Sequence, residues 1–321
     1  MTEDLAVALI KASYPAEHQA LLLSLLEPSV RITSSAHPYE SENLRSKFGG
    51  NPLLPANVTW PSWDARMWMD RKIAFFQQRV NSSRSAKWAL DSIAKLKQEY
   101  PTSPIPLSFI AQIDLQEVNP LRELGLPKVG HLLFFYDAAN SPWGFDPAAR
   151  SAARVLFFPE LHGELRRPPT DGLHQPTIFK TASLGFEQEW TLPDDIEDGP
   201  PELSDYDLNT KYRDLIAELT GNSDMVHRLR GHEQPIQGDM RLEAQLVTNG
   251  LYCGDSSGYN DSRAKVLRPG AADWVLLLQV DSDESGPGWM WGDVGRLYFW
   301  IRKQDLAAGD FSQTWTTEQC Y

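Results

Sequence analysis

The longest apolar runs of the chain fall in two stretches built alike. Leu107 to Tyr136 carries an apolar run ending in Gln112-Ile113-Asp114, then a loop, then Gly130 and the run Leu132 to Tyr136. Trp274 to Ile301 repeats the plan with Gln279-Val280-Asp281, an acidic loop containing glycine, Gly295 and the run Leu297 to Ile301. Neither run alternates apolar with polar positions, which predicts strands covered on both faces and paired through the intervening loop. A weaker likeness links Lys47-Phe48-Gly49-Gly50-Asn51-Pro52 with Arg228-Leu229-Arg230-Gly231-His232 and the following Pro235. Self-similarity of this kind predicts a duplicated unit.

Helical spacing appears elsewhere. Leu5, Ala8, Leu9 and Ala12 share one face, and Pro15 is suited to open a second helix that runs through Leu26 and stops at Pro28. Val30 to Ile32 reads as a short strand. Met67–Val80 and Ala86–Tyr100 read as helices, followed by Pro101, Pro104 and Pro106, which force an extended entry to the first strand pair. Arg154–Phe158 and Thr177–Trp190 are strand candidates, and Tyr206–Leu219 is a helix with Leu208, Tyr212, Leu215, Ile216 and Leu219 on one face. Ser223 is placed to cap a short helix through Arg230. The acidic, proline-rich run Pro193–Ser204 marks an exposed loop and a seam between halves. The expectation is an α+β fold of mostly antiparallel sheets with peripheral helices. N-terminal helices would occupy 1–30, a first half 31–200 and a second half 201–321.

The composition narrows the partners. With 43 acidic and 30 basic residues the formal charge is −13, which disfavours nucleic acid and anionic membrane surfaces, because both need clustered Lys and Arg. No apolar run reaches the roughly 18 residues of a membrane span. The acidic start and the two cysteines, Cys253 and Cys320, too few for a disulfide framework, point to the cytoplasm.

Several motifs together resemble one family. Ser46-Lys47-Phe48-Gly49-Gly50, Phe109 to Leu115, Gly238-Asp239, Gln245 to Asp255, Leu277 to Asp281 and Trp291-Gly292-Asp293-Val294-Gly295 resemble, in matching order, the YwqG-like family of bacterial domains of unknown function. The resemblance runs from about residue 30 to the end. It implies a mixed fold rich in antiparallel strands and carries no established activity, cofactor or catalytic residue.

Among polar groups the two Gln-x-Asp pairs stand out. Residues two apart on a strand share a face, so Gln112 with Asp114, and Gln279 with Asp281, each set an amide beside a carboxylate at a strand end. Two roles are open to them. They can tie down their own loops through backbone hydrogen bonds, or converge, with Trp289 and Asp293, on a cleft between the halves.

Asp281-Ser282-Asp283-Glu284-Ser285-Gly286 matches the start of a calcium-binding EF-hand loop, but Gly292 stands where the closing Glu is needed. The expectation is a solvated acidic turn with no metal. Gly254-Asp255-Ser256-Ser257-Gly258 matches the G-x-S-x-G of a nucleophile elbow, yet every histidine precedes Ser256, whereas that fold needs its histidine after the serine. No cofactor motif is complete.

The functional expectation is a non-catalytic module that binds another protein or a small molecule. Its alternative is a hydrolase-like enzyme with Asp114 and Asp281 as paired acid and base.

Overall fold

The structure, a computed structural model, describes residues 1–37, 44–80, 86–121, 123–173, 177–194, 206–221 and 225–321. Two helices, α1 (Glu3–Ser13) and α2 (Ala16–Leu25), lead into strand β1 (Glu27–Ala36). Short strands β2 (Lys47–Phe48), β3 (Leu53–Leu54) and β4 (Ser62–Trp63) precede the helical hairpin α3 (Arg66–Val80) and α4 (Ala86–Gln98). Then follow β5 (Ile105–Pro106), β6 (Ser108–Asp114), α5 (Leu115–Val118), β7 (His131–Tyr136), β8 (Ala153–Phe158), β9 (Glu164–Leu165) and β10 (Ala182–Thr191). The remainder comprises α6 (Tyr206–Thr220), β11 (His227–Leu229), α7 (Met240–Thr248), α8 (Ser256–Asn260), α9 (Ala264–Leu267), β12 (Trp274–Asp281), β13 (Arg296–Arg302), α10 (Lys303–Ala308) and β14 (Trp315–Gln319).

Ten strands form one sheet in the order β14-β13-β12-β11-β1-β10-β2-β6-β7-β8, and every neighbouring pair is antiparallel. The sheet curls until its wings meet: Phe134 of β7 stacks edge-on to Phe299 of β13 at 5.0 Å, and the Tyr136 hydroxyl donates to Glu318 of β14 at 2.9 Å. One apolar layer, including Ile110, Phe134, Leu277 and Phe299, fills the space between the wings. The α3–α4 hairpin covers the outer face of β6 and β7 through Trp68, Phe76, Phe109 and Phe135. On the other wing, α7 and its neighbours cover β12 and β13 through Leu246, Trp274 and Trp300. Both strands of the expected pairs are therefore covered on two sides, and every residue of β6 and of β12 is buried, as their unbroken apolar runs predict.

The two wings share local details. Pairing slips by one residue between Phe109 and Ala111 where β6 meets β7, and between Leu276 and Leu278 where β12 meets β13. After β2, Gly49 and Gly50 take positive φ (56° and 69°) and the Gly49 N–H donates to Ile110 O at 2.9 Å. After β11, Arg230 and Gly231 do the same (62° and 74°), with the Arg230 N–H donating to Leu277 O at 3.2 Å. A left-handed arginine is unusual; its guanidinium is held by Leu124 O (3.1 Å) and Leu276 O (2.5 Å).

Two local expectations need correction. His227–Leu229 is a strand and not part of a helix through Arg230: it fills the gap between β1 and β12, where its backbone completes the ladder. Pro28 does not terminate α2, which ends at Leu25; it lies inside β1, opposite Trp190, near the strand start where a missing N–H is tolerated. Strand β1 also runs through residues 30 and 31, so the expected boundary there falls within an element. The acidic run Pro193–Ser204 lies mostly outside the described residues.

One group in the helical cover makes stability depend on pH. Burial, with a further push from Asp239, raises the Glu243 carboxyl to about 7, against a weak hydrogen bond from Tyr259. Folded Glu243 keeps a proton that the unfolded chain releases near pH 4.3. Stability should therefore fall as pH rises from about 4.5 to 7, and Glu243→Gln should flatten that slope in urea titrations at pH 5 and 8.

Candidate functional site

The two Gln-x-Asp corners are built into the backbone. Gln112 accepts the Leu53 N–H (2.9 Å) and donates to Arg45 O (2.9 Å); Gln279 accepts the Gln234 N–H (3.0 Å) and donates to Val226 O (2.9 Å). The Asp114 N–H donates to the Ser46 hydroxyl at 2.9 Å, and the Asp281 N–H to His227 Nδ1 at 3.0 Å. Asp114 pairs with Arg45 and lies 3.3 Å from His131 Nε2, while Asp281 accepts from the Val226 N–H and from Arg296, both at 2.9 Å.

The two corners sit at one level of the sheet: followed through β11, β1, β10 and β2, the register aligns both Asp281 and Asp114 with Thr33. Five strand steps separate β6 from β12, about 24 Å along the sheet at roughly 4.8 Å a step. β6 and β12 run antiparallel and reach that level from opposite directions. Trp289 is buried, with its indole N–H on Asp281 O at 2.9 Å, whereas Asp293 is exposed.

The acidic turn after β12 is not solvated at its centre: Asp283 is buried and closes on donors from the turn and from β1. Asp283 accepts from the Gly286 N–H (2.7 Å), the Ser285 hydroxyl (3.0 Å) and the Ser34 hydroxyl. Because His227 Nδ1 is an acceptor, its Nε2 carries the hydrogen, 3.6 Å from Asp283. Burial alone would push the Asp283 carboxyl up; these donors outweigh it and hold the group well below the usual carboxylate range. In the Gly254–Gly258 segment, Asp255 accepts the Ser257 N–H at 2.8 Å and caps α8.

A different place has the shape of a binding site. Where the helical cover of one wing meets that of the other, a cleft of about 570 Å³ opens between α3, the loop 141–146 and Tyr252. Trp68 and Phe75 of α3, Trp143, Phe145 and Tyr252 supply its aromatic walls. The loop is held firmly. Trp143 O accepts the Glu318 N–H (3.0 Å), Gly144 O accepts the Trp315 indole N–H (3.0 Å), and Phe145 O accepts the Cys253 N–H (2.9 Å).

Ser141 and Trp143 take positive φ, 42° and 64°, conformations that cost non-glycine residues about 1–3 kcal/mol each and that recur at ligand clamps. At Gly144, φ is +95° and a β-carbon would come within 2.3 Å of Thr316 O; glycine is what lets this loop lie flat on β14.

Charge in the cleft is uneven. Arg71 pairs with Asp146, which also caps the turn at Ala148 (2.8 Å). Arg79 stacks its guanidinium 3.4 Å from the Phe75 ring centre. Lys72 rests its ammonium 4.4 Å from the centre of the Trp68 ring and, among the described residues, has no carboxylate within ion-pair distance. Burial pulls the Lys72 pKa down, Lys95 adds to the effect, and Asp137 and Glu99 counter it.

Other cavities are less suited. In one of about 290 Å³, Arg241 is taken up by Glu233 (3.0 and 2.7 Å) and His232 by Leu25 O (2.8 Å). One of about 530 Å³ is lined by Glu187, Glu189 and Glu218 around Arg31, whose guanidinium is bound to Glu189 at 3.0 Å.

Sequence reasoning missed the cleft because its walls come from three segments far apart in the chain. A signal was present on α3, where Trp68, Phe75 and Phe76 exceed what one buried face needs; Trp68 and Phe76 are buried and Phe75 is left half-covered.

Fold and site together define a mixed helix-and-sheet domain with one large antiparallel sheet, peripheral helices and an aromatic cleft at the junction of its wings. The chain belongs to the family described as Domain of unknown function (DUF1963), whose model matches residues 46–320. No curated protein matches it. Among the described residues no helix is long and apolar enough to cross a membrane.

Proposed function

We propose that the protein is a non-catalytic binding module of the YwqG-like type whose ligand occupies the aromatic cleft. The observation that carries this reading is the cleft itself: a clamped, strained loop presents Trp143 across from α3, beside an ammonium that has no carboxylate partner among the described residues. Ligand sites are mostly apolar hollows with a few placed polar groups, formed in advance of binding. The carboxylates Asp114 and Asp281, which a hydrolase would draw on, are occupied by backbone and guanidinium donors.

The same reading includes an internal duplication. Its support is the matched partner set: Arg45, Ser46 and Leu53 serve Gln112 and Asp114 as Val226, His227 and Gln234 serve Gln279 and Asp281. In this proposal the copies open with β1 and β10, each exchanged into the other's wing, β1 beside β11 and β10 beside β2. A reducing, cytoplasmic setting is proposed on the two free, buried thiols.

The test is a titration with 1-anilinonaphthalene-8-sulfonate, which fluoresces in apolar clefts. Native protein should give a saturable enhancement that Trp143→Ala reduces about 10-fold or more in affinity, the loss expected for an aromatic anchor. Trp88→Ala, at an exposed position outside the cleft, should leave it unchanged. Equal binding by native protein and Trp143→Ala would contradict the proposal.

A further inference from the structure

We infer that the cleft selects a small, flat aromatic monoanion, its ring against the aromatic walls and its acidic group on Lys72. The inference rests on the binding reading above and adds the chemical class of ligand.

The charges around the cleft decide the sign. Arg71 is neutralised by Asp146. Asp255 sits at the rim, fully exposed, turned to the Ser257 N–H and hydroxyl. Lys72 is left, half-buried on the Trp68 face. An ammonium over an indole is attracted to the ring, but it has given up part of its water shell and gained no carboxylate among the described residues. A carboxylate or sulfonate entering the cleft would supply the missing partner, with a charge-assisted hydrogen bond.

The number of charges follows in the same way. A polyphosphate or dicarboxylate would bring further negative charge toward Asp146 and Asp255, where Arg71, the other cation lining the wall, is already paired with Asp146. A cationic ligand would meet Lys72 and Arg71. A neutral aromatic compound would gain the ring contacts and leave Lys72 as it is. The protein as a whole carries −13, so an anion is drawn in only where a local cation outweighs that background, and the cleft meets this condition at Lys72.

The size fits one fused ring pair. Ligand pockets span about 300–1,000 Å³, and 570 Å³ of open cleft accommodates a naphthalene-sized group with its substituent and solvent.

The experiment compares three probes of one shape by calorimetry on the full chain: 1-naphthoate, 1-naphthamide and 1-naphthylmethylammonium. Naphthoate should bind about 10-fold more tightly than naphthamide, the worth of a hydrogen bond to a charged group, and the ammonium probe should bind weakest. Lys72→Met should remove the advantage of naphthoate and leave naphthamide unchanged. Lys72→Arg should restore most of it, which a merely structural lysine would not predict.

If naphthoate and naphthamide bind alike and Lys72→Met moves neither, the monoanion inference fails while the cleft stands as a neutral aromatic site. If none of the three binds and the sulfonate dye is also indifferent to Trp143→Ala, the inference falls together with the reading beneath it.

Discussion

Glu189→Gln is expected to destabilise the protein by about 3–5 kcal/mol, the cost of breaking a buried ion pair from one side. Glu189 lies at the centre of the sheet, 2% exposed, on β10. It receives Arg228 through two contacts (3.1 and 3.2 Å) and Arg31 at 3.0 Å, with the Ser29 hydroxyl at 3.3 Å. Arg31 and Arg228 stand directly opposite each other across β1 and β11, a like-charge pairing that destabilises a sheet unless something intervenes. Glu189 is what intervenes. The amide keeps the shape and removes the charge, so the buried Arg228 and the Arg31 in the wall of the cavity of about 530 Å³ face each other with half their partners. The midpoint of urea unfolding reads the loss directly. A change below about 1 kcal/mol would mean that water reaches this cluster and that the centre of the sheet is not sealed. Replacing Arg228 with Met in the Glu189→Gln background should recover part of the loss, because one unpaired charge leaves with it.

Trp289→Ala is expected to cost a further class of energy, about 3–5 kcal/mol for truncating a fully buried aromatic residue. Trp289 comes from the loop between β12 and β13, yet it is 1% exposed. Phe48, Phe179 and Trp291 surround it at ring-centre distances of 5.2, 5.3 and 5.4 Å. Its loop is tied to the opposite wing by the Lys180 N–H on Pro287 O at 2.9 Å. The residue thus works as a bolt between a loop of one wing and the turn after β2 of the other. Its loss should lower the unfolding midpoint without altering dye binding at the cleft. An intact midpoint with lost binding would instead give Trp289 the ligand-contacting role that a tryptophan in a glycine-rich loop suggests.

How far the chain could be read in advance follows from where the information lies. The strand pairs β6/β7 and β12/β13 were legible because burial on two faces erases alternation, and an unbroken apolar run is a local property of the sequence. The turn after β2 is likewise a local matter, since Gly49 and Gly50 supply the positive φ it needs. Strand β11 was not: His227 and Arg228 are polar, and what makes them interior residues is Glu189, Asp283 and the N–H of Asp281, all distant in the chain. A three-residue strand has no period to detect.

The Gln-x-Asp corners show a different limit. Residue type and spacing located the pairs and their shared face. The choice between tying a loop and lining a cleft depends on backbone partners distant in the chain, Leu53 and Arg45 for Gln112, Gln234 and Val226 for Gln279, and neither strand writes them. The cleft is a further step removed, since Lys72, Trp143 and Tyr252 become neighbours only after the sheet has curled and both helical covers have docked.

A crystal structure of the protein soaked with 1-naphthoate decides whether the ligand enters the aromatic cleft or the polar corners. The account predicts ring density against Trp143 and Tyr252 with the carboxylate about 3 Å from the Lys72 ammonium. Ring density beside Asp114 or Asp281, with the cleft holding solvent alone, would contradict it.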